Sequence, residues 1–135
     1  MHLLILLVLS VKLAGAEDLK IQPLFVPSDL TEDRKVFLTC QTVKGERPLH
    51  YEWLFNGKPL IHDDNVHVHS PYEDLSILTI NRLKYKNIGN YSCRVSNRFR
   101  TDSSSALIEF KGKSAELPCK LSIFRSTYLM PISYQ

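Results

Sequence analysis

The sequence is poor in the features that mark metal, redox or catalytic proteins. It holds three cysteines, Cys40, Cys93 and Cys119, and no two stand in a C-x-x-C spacing. Zinc-finger and thioredoxin-like readings therefore have no ligand set to rest on. No H-E-x-x-H pair, no phosphate-cradling glycine loop and no nucleophile-elbow glycine frame occurs among its five glycines, so no standard catalytic arrangement is present. Ser103 to Ser105 are plentiful hydroxyls, but they are expected in a turn without a base beside them. His62, His67 and His69, with Asp63 and Asp64, are the one grouping of metal-ligand types. His67 and His69 alternate onto one strand face, and two ligands are too few for a structural zinc site; exposed edge-strand histidines are the expectation. The expectation is thus of a protein that is not an enzyme and uses no cofactor.

Charge of one sign is also scarce. Lys and Arg number 17 against 14 Asp and Glu, for a formal charge of +3. The basic residues are scattered, and affinity for nucleic acid needs them clustered opposite phosphates. No nucleic-acid partner is expected. Beyond the first residues no apolar run approaches the roughly 20 residues that cross a bilayer, so no membrane-spanning segment is expected in this chain.

What is present starts at the N-terminus. Met1 and His2 precede Leu3 to Leu9, an unbroken apolar run. Ala14-Gly15-Ala16 then supplies small residues of the kind a signal peptidase reads, and the chain turns abruptly polar at Glu17-Asp18. Residues 1–16 read as a signal peptide cleaved after Ala16; the competing reading is a buried segment of the fold. Export places the cysteines in an oxidising compartment, where two of them can pair and persist.

The remainder alternates with the two-residue period of strands. Lys20 to Val26 is extended but interrupted by Pro23 and Pro27, which suits a sheet edge. Lys35 to Val43 puts Val36, Leu38, Cys40 and Thr42 on one face. Lys44 to Pro48 is a turn. His50 to Phe55 puts Tyr51 and Trp53 together, and Asn56-Gly57 is a hairpin signal because both residues tolerate positive φ. Leu60-Ile61, Val66 to Ser70, Leu75 to Leu83, Asn90 to Asn97 and Ala106 to Phe110 complete seven or eight short strands. This is an all-β chain, a sandwich or barrel of antiparallel strands.

Cys40, Trp53, Tyr91 and Cys93 choose between them. In a sandwich the two cysteines occupy inward positions of facing sheets and bridge the gap of about 10 Å. The Trp packs its apolar face on that bridge, and the Tyr returns its hydroxyl to the backbone of the preceding corner. Gly89 relieves crowding where the chain enters that strand.

Phe37-Leu38-Thr39-Cys40-Gln41, Glu52-Trp53-Leu54 with Asn56-Gly57-Lys58-Pro59-Leu60, Leu75 to Ile80, and Gly89-Asn90-Tyr91-Ser92-Cys93 together resemble an I-set immunoglobulin domain. With the opening Ile21-Gln22-Pro23-Leu24-Phe25 through Leu30 to Val36, residues 18–111 resemble the arthropod Down syndrome cell adhesion molecule (Dscam) family. The resemblance implies an immunoglobulin-like β-sandwich of two antiparallel sheets with a Cys40–Cys93 disulfide. It also implies an extracellular recognition module that pairs with the same or a related immunoglobulin protein, as in neuronal wiring and axon guidance. A soluble, secreted immune-recognition or ligand-binding protein is the alternative. One position departs from the pattern: Asn87 stands where the family usually has an Asp paired with a strand residue, and His67 and His69 are the nearest candidates for its partner.

Three further expectations concern single segments. Asn90-Tyr91-Ser92 is an N-linked glycosylation sequon, with Asn90 alternating outward. Phe37, and the edge from Leu60 to His69, are candidate contact surface. In the tail, residues 112–135, Gly112 to Cys119 looks like the start of a second immunoglobulin domain, Cys119 being its first cysteine; a tail with a free thiol is the competing reading.

Overall fold

The computed structural model describes residues 17–110. The signal-peptide reading of residues 1–16 and the readings of residues 112–135, including Cys119, lie outside them.

Eight strands form two four-stranded antiparallel sheets. In chain order they are β1 (Lys20–Ile21), β2 (Val36–Lys44), β3 (His50–Phe55), β4 (Lys58–Pro59), β5 (Val66–Tyr72), β6 (Leu75–Ile80), β7 (Gly89–Ser96) and β8 (Thr101–Ile108). One sheet runs β1-β2-β6-β5 and the other β4-β3-β7-β8. The alternation read from β2 holds: Val36, Leu38, Cys40 and Thr42 are buried and the residues between them exposed. In β7 Tyr91, Cys93 and Val95 are likewise buried, with Ser92 half-buried and Arg94 exposed between them. These inward sets, with Leu78 and Ile80 of β6, fill the space between the sheets. A period of two on facing sheets can close only as a sandwich with its apolar faces together.

Four strand boundaries differ from expectation. The first strand pairs only at Lys20 and Ile21, followed by a single bond from Gln22 N to the Gln41 carbonyl. Pro23 has no N–H to continue the ladder, and the chain leans to the other sheet, where Leu24 N donates to Ser104 Oγ at 2.9 Å. The last strand begins at Thr101, so Ser103 to Ser105 lie in β8 rather than in a turn. The turn falls earlier because Asn97 Oδ1 accepts from the amides of Phe99 and Arg100, at 2.9 and 2.8 Å. β6 ends at Ile80, although Leu83 beyond it is fully buried. β4 is Lys58–Pro59, and beyond it only a single bond from Leu60 N to the Trp53 carbonyl at 2.9 Å continues toward β3.

The β3–β4 hairpin forms where Asn56-Gly57 stands, with φ of 49° and 79°. Positive φ at both positions is what a two-residue turn needs to match strand twist. Gly89 serves the same corner: a Cβ there would lie 2.6 Å from Asn56 Oδ1 and 2.7 Å from the Phe55 ring.

Candidate functional site: the core staple and two outer faces

The centre of the sandwich is held by two adjacent links between the sheets. Cys40 pairs across the ladder with Ser76, and Trp53 with Cys93. Register thus sets two neighbours on one sheet opposite two on the other. The Cys40–Cys93 disulfide joins one pair of corners. The indole Nε1 of Trp53 donates to Ser76 Oγ at 3.0 Å and joins the other. Ser76 is fully buried, where an unbonded hydroxyl would be costly. Its role escapes sequence reasoning, because only the β2–β6 register places it beside Cys40. The alternation of Ser76, Leu78 and Ile80 does mark it as inward.

Tyr91 lies below this staple, 1% exposed. Its hydroxyl donates to the Asn87 carbonyl at 2.7 Å, the corner bond expected of it. Burial of the hydroxyl, helped by the nearby Asp63 charge, pushes its pKa up to about 12. Asn87 ends a single 3-10 turn, Tyr85–Asn87. Its partner is neither His67 nor His69, whose side chains point outward on β5. Asn87 Oδ1 instead accepts from Lys84 N at 3.0 Å and from Asn65 Nδ2 at 3.3 Å. Asn65 also accepts from Arg82 N and donates to the Arg82 carbonyl. A neutral amide pair occupies the place of an ion pair. Histidines alternating outward from β5 cannot reach inward to that corner, whereas Asn65, just before the strand, can. Asp63 braces the same loop through bonds to the Val66 and Asn65 amides, which lower its pKa.

The outer face of β1-β2-β6-β5 is built from cross-strand rows. Phe37, Thr79 and His67 form one; Thr39, Ile77 and His69 the next; Gln41, Leu75 and Tyr72 the third. None of these nine is Asp, Glu, Lys or Arg. Phe37 is 53% exposed and Tyr72 70%, and Val43 continues the patch. The Lys35 ammonium lies 5.2 Å from the centre of the Phe37 ring, at the margin. On the opposite face, Arg94 and Glu52 form an ion pair at 3.0 Å. Asn90 is exposed there and stands across from Leu107. The edge from Leu60 to His69 crosses between sheets beside a cleft of about 390 Å³ lined by Phe55, Leu60, Val66, Lys86 and Tyr91. Among the described residues no group of three or more His, Cys, Asp or Glu could hold a metal ion.

Two antiparallel sheets, an inter-sheet disulfide with a Trp packed beside it, and a corner tyrosine define an immunoglobulin sandwich. Residues 18–110 match the immunoglobulin I-set domain family, and the chain belongs to it. It is 34% identical over 92 residues to human "Hepatic and glial cell adhesion molecule", covering 68% of this chain and 18% of that protein. It is 29% identical over 114 residues to Drosophila melanogaster "Titin", covering 78% of this chain and 1% of that protein. The crystal structure of a Dscam1 Ig7 domain, isoform 5, superposes with a TM-score of 0.66 at 18% identity, over 72% of this chain and 100% of that one. The last likeness is one of fold. The chain spans less than a fifth of either curated relative, so the module is shared and the activities of the whole proteins are not carried with it.

Proposed function

We propose that this chain is an extracellular recognition module that works by protein–protein contact, without catalysis, and that its first partner is a second immunoglobulin domain of the same kind. The observation that carries the reading is the outer face of β1-β2-β6-β5, where three rows of side chains carry no formal charge and Phe37 and Tyr72 stand exposed. A symmetric pair brings each patch against itself. A charged patch would then meet like charge, whereas this one brings aromatic and aliphatic groups together without that cost. Aromatic anchors in a polar surround are also what concentrates binding energy at interfaces. The adhesion molecules among the relatives support the extracellular setting.

The test is self-association of the full secreted chain by sedimentation velocity, with Phe37→Glu and Ile77→Glu as variants. The wild-type chain is expected to form a concentration-dependent dimer that either carboxylate abolishes. Cells displaying it should aggregate with like cells. A chain that stays monomeric, or a dimer indifferent to both substitutions, would overturn the reading.

A further inference from the structure

The two faces of the sandwich differ in a way that assigns them different tasks. Asn90 and Ser92 sit two residues apart on β7 and so project from the same side of the sheet. That side is the outer face of β4-β3-β7-β8, since Tyr91 and Cys93 between and beyond them are buried. Asn90 is exposed. Its backbone is fully engaged: its N–H donates to Asn56 Oδ1 at 2.9 Å, and its carbonyl accepts from Asn56 N at 2.8 Å. Both bonds run through the main chain and leave the side-chain amide pointing to solvent. Directly across the ladder stands Leu107, 54% exposed, on a β8 face otherwise made of Thr101, Ser103 and Ser105. Neighbouring strands lie about 4.8 Å apart, so a group attached at Asn90 has Leu107 beside it on the β8 side, as it has Asn56 on the β3 side.

We infer that Asn90 carries an N-linked glycan whose first sugars lie over Leu107 and cover the outer face of β4-β3-β7-β8, leaving the uncharged face of the other sheet as the one open to protein contact. This rests on the reading of the chain as exported, because the modifying enzyme and its donor lie in the secretory pathway. The donor class is a polyprenyl-diphosphate-linked oligosaccharide. The Asn90 amide nitrogen forms a bond to the anomeric carbon of its terminal N-acetylglucosamine and loses one proton. The bond from that carbon to the diphosphate oxygen breaks, and the polyprenyl diphosphate leaves with the electron pair. The Ser92 hydroxyl completes the acceptor sequence. In the folded domain it shares a hydrogen bond with Ser105 Oγ at 2.7 Å, and the Asn90 backbone is locked to the β3–β4 turn. The transfer therefore belongs to the nascent chain, before β7 has paired. The fold then presents the product rather than hiding it, because the acceptor alternates outward. A glycan there also accounts for a leucine left more than half exposed among the described residues, since carbohydrate would cover what the described elements do not.

The test is expression of the full chain in eukaryotic cells, followed by glycosidase digestion of the medium and peptide mass spectrometry. The expected result is loss of carbohydrate mass with conversion of Asn90 to Asp, absent in Asn90→Gln and in Ser92→Ala. Hydroxyl-radical footprinting before and after digestion reads the coverage: oxidation of Leu107 should rise severalfold once the glycan is removed, while Phe37 on the opposite sheet stays constant. A secreted chain with unmodified Asn90 overturns the inference and leaves export standing. A chain retained unmodified in the cytosol overturns export, and the inference with it. Equal oxidation of Leu107 with and without the glycan refutes the coverage.

Discussion

Replacing Tyr91 by Phe removes one oxygen and leaves the ring, which packs 4.8 Å from Phe55 between centroids. The lost hydroxyl donates to the Asn87 carbonyl, and both residues are buried. A buried acceptor stripped of its donor costs about 1–3 kcal/mol. In a domain of this size that corresponds to roughly 5–20 °C in Tm. Urea titration followed by fluorescence of Trp53, the one tryptophan in the chain, measures it. The pH dependence supplies a second, independent reading. An unfolded tyrosine ionises near 10, whereas Tyr91 in the domain holds its proton to about 12 because burial disfavours the phenolate. Its contribution is therefore complete below pH 10 and is lost as pH rises towards 12, where the unfolded chain has released a proton and the folded one has not. Two pH units, discounted for partial screening by solvent, give about 1–2 kcal/mol. The gap between wild type and Tyr91→Phe should narrow by that amount across this window. A stability difference under about 0.5 kcal/mol at neutral pH would refute the corner bond as a structural brace, and a gap that stays constant from pH 10 to 12 would refute the burial of the hydroxyl.

Two further outcomes follow from the same core. Cys40→Ala with Cys93→Ala opens a loop of sequence separation 53 and should cost about 4 kcal/mol by loop entropy, a large share of the stability of a small domain; a large fall in the urea midpoint, with a larger m-value from the more expanded unfolded chain, is the expected signature. Asn65→Ala removes the bonds to Arg82 and Asn87 and should cost about 1–2 kcal/mol, with hydrogen exchange at the Arg82 amide accelerating before that of the β7 core; an unchanged exchange rate there would refute the amide bridge.

The case of Asn87 separates what a sequence states from what a fold decides. That the usual acid had been replaced was visible, and His67 and His69 were the nearest candidates for its partner. The replacement partner was not visible, because Asn65 and Asn87 are 22 residues apart and meet only when the segment after β4 crosses to the second sheet. Ser103 to Ser105 failed for the opposite reason: serine runs favour turns locally, but pairing with β7 draws them into the ladder once Asn97 has closed the turn.

The sequence by itself determined the two-residue alternation, the inward set of Val36, Leu38, Cys40, Trp53, Tyr91 and Cys93, the hairpin at Asn56-Gly57 and the outward placement of Asn90. Each is local, set by side-chain size, period and backbone freedom. Only the tertiary structure decided which residues sit opposite one another: Ser76 beside Cys40 and bonded to Trp53, Asn65 against Asn87, Leu107 across from Asn90, and the three uncharged rows on the outer face. Those are matters of register, fixed when two strands distant in the chain align, and no single strand carries that information.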